Sequence, residues 1–290
     1  MSSHLDLPVL GVGLAADISS TQPDFRKLLA EGNGAYIDYL NFGAHVTQKR
    51  RVQHYIGDLI EGGFPLVFHP INFNVCSSEP EPEGMVRDLV ELVDYSSPAW
   101  AGQDVAVWMF EGQYLGSFLL PPILDDESVE ETAAKVRTLN QLLPCPFLIE
   151  NPPVILPVGG MHMVEFMTAV AETADCGLVL DIGHLIGYQQ AAGLDVTRIP
   201  VNELALDRVV EVHVAGLQQA KVGDSTHLLD QHAYPVDDLC WSFLEDHASK
   251  MVNLKGVTLE QEFCPIEIVE KNLHRAREVV AKAGVLESAH

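Results

Sequence analysis

Cations, cysteine pairs and long apolar runs are what this sequence has least of. Only 17 Lys and Arg stand against 41 Asp and Glu in 290 residues, a formal net charge of −24. That balance argues against a nucleic acid as main partner, because phosphate binding needs clustered cations. The five cysteines, Cys76, Cys145, Cys176, Cys240 and Cys264, are odd in number, widely spaced and without a CxxC pair. Neither a disulfide framework nor a cysteine-based zinc site is expected from them. No run reaches the ~18 apolar residues that span a bilayer. The start, MSSHLDLPVLGVGLAADIS, lacks a basic segment leading to a cleavage site, so no secretory signal is read. The expectation is a cytoplasmic protein with no membrane partner.

What is present is a large potential core, since 47 % of residues are hydrophobic. Short apolar or β-branched runs recur, each followed by turn residues and then a helical pattern. They are PVLGVGL (8–14), AYIDYLNF (35–42), FPLVFHP (64–70), DVAVWMF (104–110), PFLIEN (146–151), CGLVLDIG (176–183), VVEVHVAG (209–216) and KGVTLEQEF (255–263). Amphipathic stretches such as DFRKLLAEG, MVRDLVELVDY and IEIVEKNLHRAREVVAKAG separate them. Eight alternations over this length predict an α/β fold, one (β/α)8 barrel across 1–290 with frayed tails at 1–6 and 286–290. A doubly wound sheet is the weaker alternative, because GVGLAAD lacks the third glycine of a dinucleotide fingerprint. SSEPEPEG (77–84) is the most loop-like stretch and follows a strand.

Strand after strand ends in a residue that can hold a metal. These are His69 in VFHP, Glu150 in LIENPP, Asp181 and His184 in VLDIGHL, His213 in EVHVAG, and Glu260 with Glu262 in TLEQEF. Asp230 and His232, in LLDQHAYPV, are expected on the loop after the seventh strand. Each alone has an ordinary explanation: a buried His bonded to a carbonyl, or a carboxylate capping the next helix. Together, at the barrel face where catalysis occurs, they predict a shared cation site, since buried carboxylates need compensating charge. Imidazole beside carboxylate suits iron, manganese or zinc better than calcium. Asp230 has a second reading, as the carboxylate that orients His232 or His213.

At these residues the chain resembles the multinuclear non-heme iron oxidative enzymes, the family of the methanobactin-maturing oxidase. LIENPP, LVLDIGHL, EVHVAG, the D-x-H of LLDQHAYPV with Trp241 following, and TLEQEF occur in family order. The resemblance implies a barrel binding two or three irons, with dioxygen as co-substrate and manganese or zinc less suited. It implies oxidation of a residue such as Cys in a ribosomal peptide, often with a separate partner protein that presents the peptide. By carry-over, Glu150, Asp181, His213, Asp230, His232 and Glu260 would be ligands. His69 would serve an additional metal, His184 would stand where the family usually has Asn, and Asn151 would orient a ligand. One departure is that the family's fourth strand ends in S-[DE]-H, whereas DVAVWMFEGQY has no His. That favours two irons over three, leaves Glu111 as a possible substitute or substrate contact, and leaves a small thiol or carboxylate metabolite open as substrate. Lys221 and Arg198 are further candidates for a substrate carboxylate, and Cys264 is a candidate neighbour of the site. Gly160, Met161, His162, Tyr114, Tyr188 and Tyr234 are candidates for the mouth. The alternative activity is a divalent-metal sugar isomerase or epimerase, with Glu150 and Glu260 as acid and base. A non-enzymatic scaffold is a third reading.

Overall fold

A computed structural model describes residues 6–18, 24–29, 36–77, 81–82, 84–116, 119–223 and 225–286. The expected tails, apart from residues 6 and 286, lie outside them, as do parts of the 77–84 stretch and Ala35. The staves of the barrel are β1 (Gly11–Asp17), β2 (Leu40–Ala44), β3 (Leu66–Pro70), β4 (Ala101–Asp104), β7 (Phe147–Glu150), β8 (Leu178–Asp181), the first half of β9 (Val209–Val222) and β11 (Gly256–Glu260). All eight pair in parallel, and the β8–β9, β9–β11 and β11–β1 ladders close the ring. Helices α1 (Lys49–Glu61), α2 (Met85–Ser96), α3 (Asp126–Leu142), α4 (Met163–Ala174), α5 (Ile182–Ala191), α6 (Asp238–His247) and α7 (Ile266–Ala283) form the outer layer. None is long and apolar enough to cross a membrane, among the described residues.

Staves covered on both sides are apolar nearly throughout, which explains LVF, FLI and LVL. The helices bury one stripe. In α7 it is Val269, Leu273, Ala276 and Val280, at spacings of three and four. The floor of the barrel holds Tyr39, Val67, Trp100, Leu148 and Val179. Tyr39 fits only because two staves carry glycine beside it. A Cβ at Gly13 or Gly256 would come within 2.6 Å of its ring or hydroxyl.

Three expectations about elements are corrected. The fourth stave is Ala101–Asp104, not 104–110; DVAVWMF lies past its end, where Met109–Phe110 (β5) and Gln113–Tyr114 (β6) form a small hairpin. DFRKLLAEG forms a 3-10 helix over Phe25–Leu28 within the described residues. LLDQHAYPV is not a loop at its start: β9 runs on past the barrel and turns into β10 (Ser225–Gln231), antiparallel to it, with Asp230 opposite Leu217. Helix α5 packs on this arm through glycine, since a Cβ at Gly187 would lie 2.9 Å from the Leu228 carbonyl.

Candidate metal centre

The ends of the staves and the arm bring all eight expected donors to one mouth. Glu150 sits at the centre. His213 Nδ1 is 2.9 Å from its Oε1 and His69 Nε2 is 3.0 Å from its Oε2. Glu260 Oε1 lies 3.4 Å from the same His213 nitrogen, and Asp181 ends the neighbouring stave, opposite His213. On the arm side, His232 Nε2 is 2.8 Å from Asp230 Oδ2 and 3.6 Å from Glu260 Oε2, while His184 Nε2 is 3.8 Å from Asp230 Oδ2. Four groups, linked by shared carboxylates, have donor atoms within 4.8 Å of one another. They are Glu150–Asp181–His213–Glu260, His69–Asp104–Glu150, Asp181–His184–Asp230 and Asp230–His232–Glu260.

Sequence reasoning missed Asp104. The corrected stave ends on it, paired with Glu150, its Oδ2 3.7 Å from His69 and its Oδ1 3.6 Å from His184. The fourth strand therefore does carry a donor; the missing His leaves Val105 in the next position. The overlooked signal was an acid closing a short run, AGQD, that has no β-branched residue.

Each of three histidines turns one nitrogen to the cluster and is held through the other. His184 Nδ1 is 2.9 Å from the Asn151 carbonyl, which leaves Nε2 for the cluster. His232 Nδ1 is 2.8 Å from Glu262. His213 Nε2 is 3.4 Å from Glu211 Oε1, which can accept from an Nε2–H, while the Asn41 NH2, 3.1 Å from the same nitrogen, can only donate and pulls toward the other tautomer. This outer support is how metal-binding imidazoles are usually oriented. Glu211, also missed, shares a strand face with His213 at i and i+2. It is fully buried, accepting from Trp100 Nε1 at 2.7 Å, Thr258 Oγ1 at 2.5 Å and the Asn41 amide at 3.1 Å. Asn151 bridges β7 and β8, its amide nitrogen donating to the Asp181 carbonyl and its oxygen accepting from the Asp181 N–H.

Both readings of a strand-end carboxylate apply to Asp181. Oδ1 accepts from the His184 N–H and caps α5, while buried Oδ2 has no hydrogen-bond partner. Asp104 Oδ1, Asp230 Oδ1 and Glu260 Oε2 are likewise buried without one. Such atoms are costly unless a cation completes them. Burial, and then the charge of Glu150, push the Asp104 carboxyl up to about 7. Burial also pushes Asp181 well up, against the pull of His184. Burial opposes ionisation of Glu150 too, but His213 and His69 outweigh it and hold Glu150 well below the usual carboxylate range. Burial would lower His213, yet Glu150, Glu260 and Glu211 raise it well above the usual imidazole range.

Other candidates stand apart. Glu111 is exposed in the β5–β6 turn with φ +47°, Lys221 is exposed far along the arm, and the Arg198 side chain pairs with Asp195 at 3.4 Å. Among the described residues none of the three pairs with a cluster group. His162 caps α4, and Tyr188 packs edge-on against it. The Cys264 thiol donates to the Tyr234 carbonyl at 3.0 Å, beside the site rather than in it. Trp241 is core.

Residues 17–281 match the family model described as the RiPP precursor modification enzyme MbnB/TglH/ChrH. The chain belongs to this family. Among relatives by sequence, a UPF0276 protein of Pseudomonas aeruginosa is 24 % identical, covering 95 % of this chain and 94 % of its own. One of Neisseria meningitidis serogroup C is 26 % identical over 78 % of this chain and 81 % of its own. Solved structures share the barrel alone. D-psicose 3-epimerase of Clostridium cellulolyticum gives TM-score 0.56 at 11 % identity, covering 96 % of this chain and 99 % of that one. Endonuclease IV of Thermus thermophilus gives 0.53 at 16 %, covering 93 % and 99 %.

Proposed function

We propose that the protein is an oxygen-dependent non-heme iron oxidase or oxygenase that modifies a residue, such as a cysteine, of a peptide substrate. The observation that carries this reading is the set of three histidines, each backed on one nitrogen and facing shared carboxylates with the other. The donor set fits iron: imidazole and carboxylate, no thiolate pair, and four buried carboxylate oxygens without partners. Glu150, Asp181, His213 and Glu260 would hold one ion. Asp181, His184, Asp230, His232 and Glu260 would hold a second, and His69, Asp104 and Glu150 a third. The fourth-strand gap that favoured two ions is filled here by an acid.

Bound iron would supply Lewis acidity and electron transfer to dioxygen. The protein's own part is arrangement. Glu150, kept ionised by His213 and His69, offers a fixed negative charge between two groups of donors. Asn151, Glu262 and Glu211 fix which nitrogen each histidine presents. The family description supports a peptide substrate, and a separate partner that presents the peptide is part of the proposal.

The test is iron analysis and Mössbauer spectroscopy on protein prepared anaerobically with ferrous salt, followed by oxygen uptake with a candidate peptide. Two or three irons per chain and peptide-dependent uptake are expected. Full turnover by iron-free protein, with magnesium or manganese and no oxygen, would sink the reading.

A further inference from the structure

The catalytic end of the barrel is unusually apolar for a surface. Of thirteen large hydrophobic residues exposed among those described, nine lie on segments that follow strand ends at the mouth. Seven belong to two connections, after β4 and after β7: Phe110, Tyr114, Leu120, Ile123, Ile155, Leu156 and Val158, with Leu156 70 % exposed. Tyr234 and Phe263 are the other two.

These connections form one rim. Leu124 N–H donates to the Val158 carbonyl at 2.8 Å, and Gly160 and Met161 N–H donate back to the Leu124 carbonyl at 2.9 and 3.0 Å. Val107 and Leu120 exchange backbone hydrogen bonds at 2.8 and 3.0 Å, tying the same connection to the hairpin. Asn74 Nδ2 anchors that hairpin through the Met109 carbonyl at 2.9 Å. On the far side of the mouth, the Phe263 N–H donates to the His232 carbonyl at 3.3 Å. A clustered apolar surface beside a polar pocket marks an interaction site.

Its charge is one-sided. The stretches 105–125, 151–162, 232–238 and 261–265 contain no Lys or Arg. Of their acids, Asp238 pairs with Arg275 and Glu262 is buried against His232, which leaves Glu111, Asp125 and Asp237. The cations at this end of the barrel, among them Lys49, Arg50 and Arg51 at the start of α1, Arg87 in the first turn of α2 and Lys221 on the arm, lie outside these stretches. An anionic occupant is therefore disfavoured on the rim, and an apolar one bearing positive charge is favoured.

We propose that this rim docks an extended polypeptide segment that is apolar and carries Lys or Arg, the part of the peptide substrate that flanks the residue entering the barrel. This rests on the peptide reading above and adds the chemistry of its recognition.

The experiment measures docking rather than turnover. Iron-loaded full-length protein is titrated anaerobically into short fluorescein-labelled peptides built from Leu and Lys, Leu and Glu, or Ser and Lys, followed by anisotropy. Two variants are compared: Leu120→Ser with Leu156→Ser on the rim, and Leu142→Ser with Val252→Ser at the opposite end. All four positions are exposed, so the fold tolerates serine, and circular dichroism and iron content check this. The Leu/Lys peptide should bind best, and the rim variant should weaken it about tenfold or more while the control variant changes it less than about twofold. Equal binding by the rim variant, or Leu/Glu binding as well as Leu/Lys, would overturn the proposal. So would a dimer, seen by light scattering, that the rim variant abolishes, because the occupant would then be a second copy. Lost docking with normal iron content would leave the iron reading standing. Rim-dependent Leu/Lys binding by a chain that takes up no iron would sink that reading alone.

Discussion

Replacing Glu211 with Gln should weaken metal binding far more than it weakens the fold. Trp100 Nε1–H can only donate, so the new amide must point its oxygen at Trp100, into the position of Oε2. Its NH2 then takes the place of Oε1, facing Thr258, Tyr39, Asn41 and His213 Nε2. The two hydroxyls can turn to accept, so the stability loss is that of one or two imperfect hydrogen bonds. That is about 1–3 kcal/mol, or roughly 2–10 °C in melting temperature for a chain of this size. His213 fares worse. To bind metal through Nδ1 it must carry its proton on Nε2, and Glu211 is the carboxylate in place to accept a hydrogen bond from that N–H. An amide NH2 there, beside the Asn41 NH2, favours the opposite tautomer, with the proton on Nδ1. Affinity for the ion that His213 holds should fall about 10- to 100-fold. Calorimetric titration with Zn2+ or Mn2+ reads the affinity, and nitrogen-detected NMR of labelled histidine reads the tautomer. Unchanged affinity, or Nε2–H persisting in the metal-free variant, would refute the reasoning. Thr258→Val is the control, because it removes a hydroxyl but leaves the Glu211 carboxylate.

Metal-free protein should lose stability as pH rises through about 7, the value to which Asp104 is pushed, and on through the raised values of its neighbours. Asp104 and Asp181 have folded pKa values above their unfolded ones, as do His184, His213 and His232, so their contribution is present at low pH and lost as pH rises through the raised values. Metal binding displaces those protons, so the increment that metal adds should grow over the same range. Melting curves in EDTA and in excess Mn2+ should have opposite pH trends, and parallel trends would count against the site. Asp104→Asn removes a crowded charge, so metal-free protein should melt about 2–4 °C higher while binding one fewer iron per chain; unchanged iron content would contradict the role given to Asp104. Gly13→Ala drives a methyl into the Tyr39 ring, whose hydroxyl is tied to Thr258 and Glu211, and should cost about 1–3 kcal/mol by urea unfolding. No measurable change would mean that the floor of the barrel is looser than its contacts imply.

Most of the barrel was legible because parallel staves buried on both sides leave apolar runs, and four of those runs end within two residues of the observed strand ends. The run read as the fourth stave did not. AGQD has poor strand propensity, and Gly102 is there because a Cβ would sit 3.0 Å from Val179 across the barrel, so packing overrode propensity. DVAVWMF next to it looked better and drew the assignment away, taking Asp104 with it. The eight expected donors were legible because each lies at or near a strand end; Glu211 was not, since a carboxylate under the site shows only once the strand face and Trp100 are both in place. The arm was unreadable for another reason. LLDQ pairs with residues that look like the tail of an ordinary stave, and nothing in QQAKV signals that β9 reaches 14 residues in all.

That arm gives the site two origins. His69, Glu150, Asp181, His213 and Glu260 arrive on staves whose hydrogen bonds run around a closed ring, so they can shift only if the ring does. Asp230 and His232 arrive on an appendage held by one ladder and by a helix whose small residues, Gly183 and Gly187, let it lie close. The set of donors can thus be changed by remodelling a single limb, while the vessel beneath stays as it is.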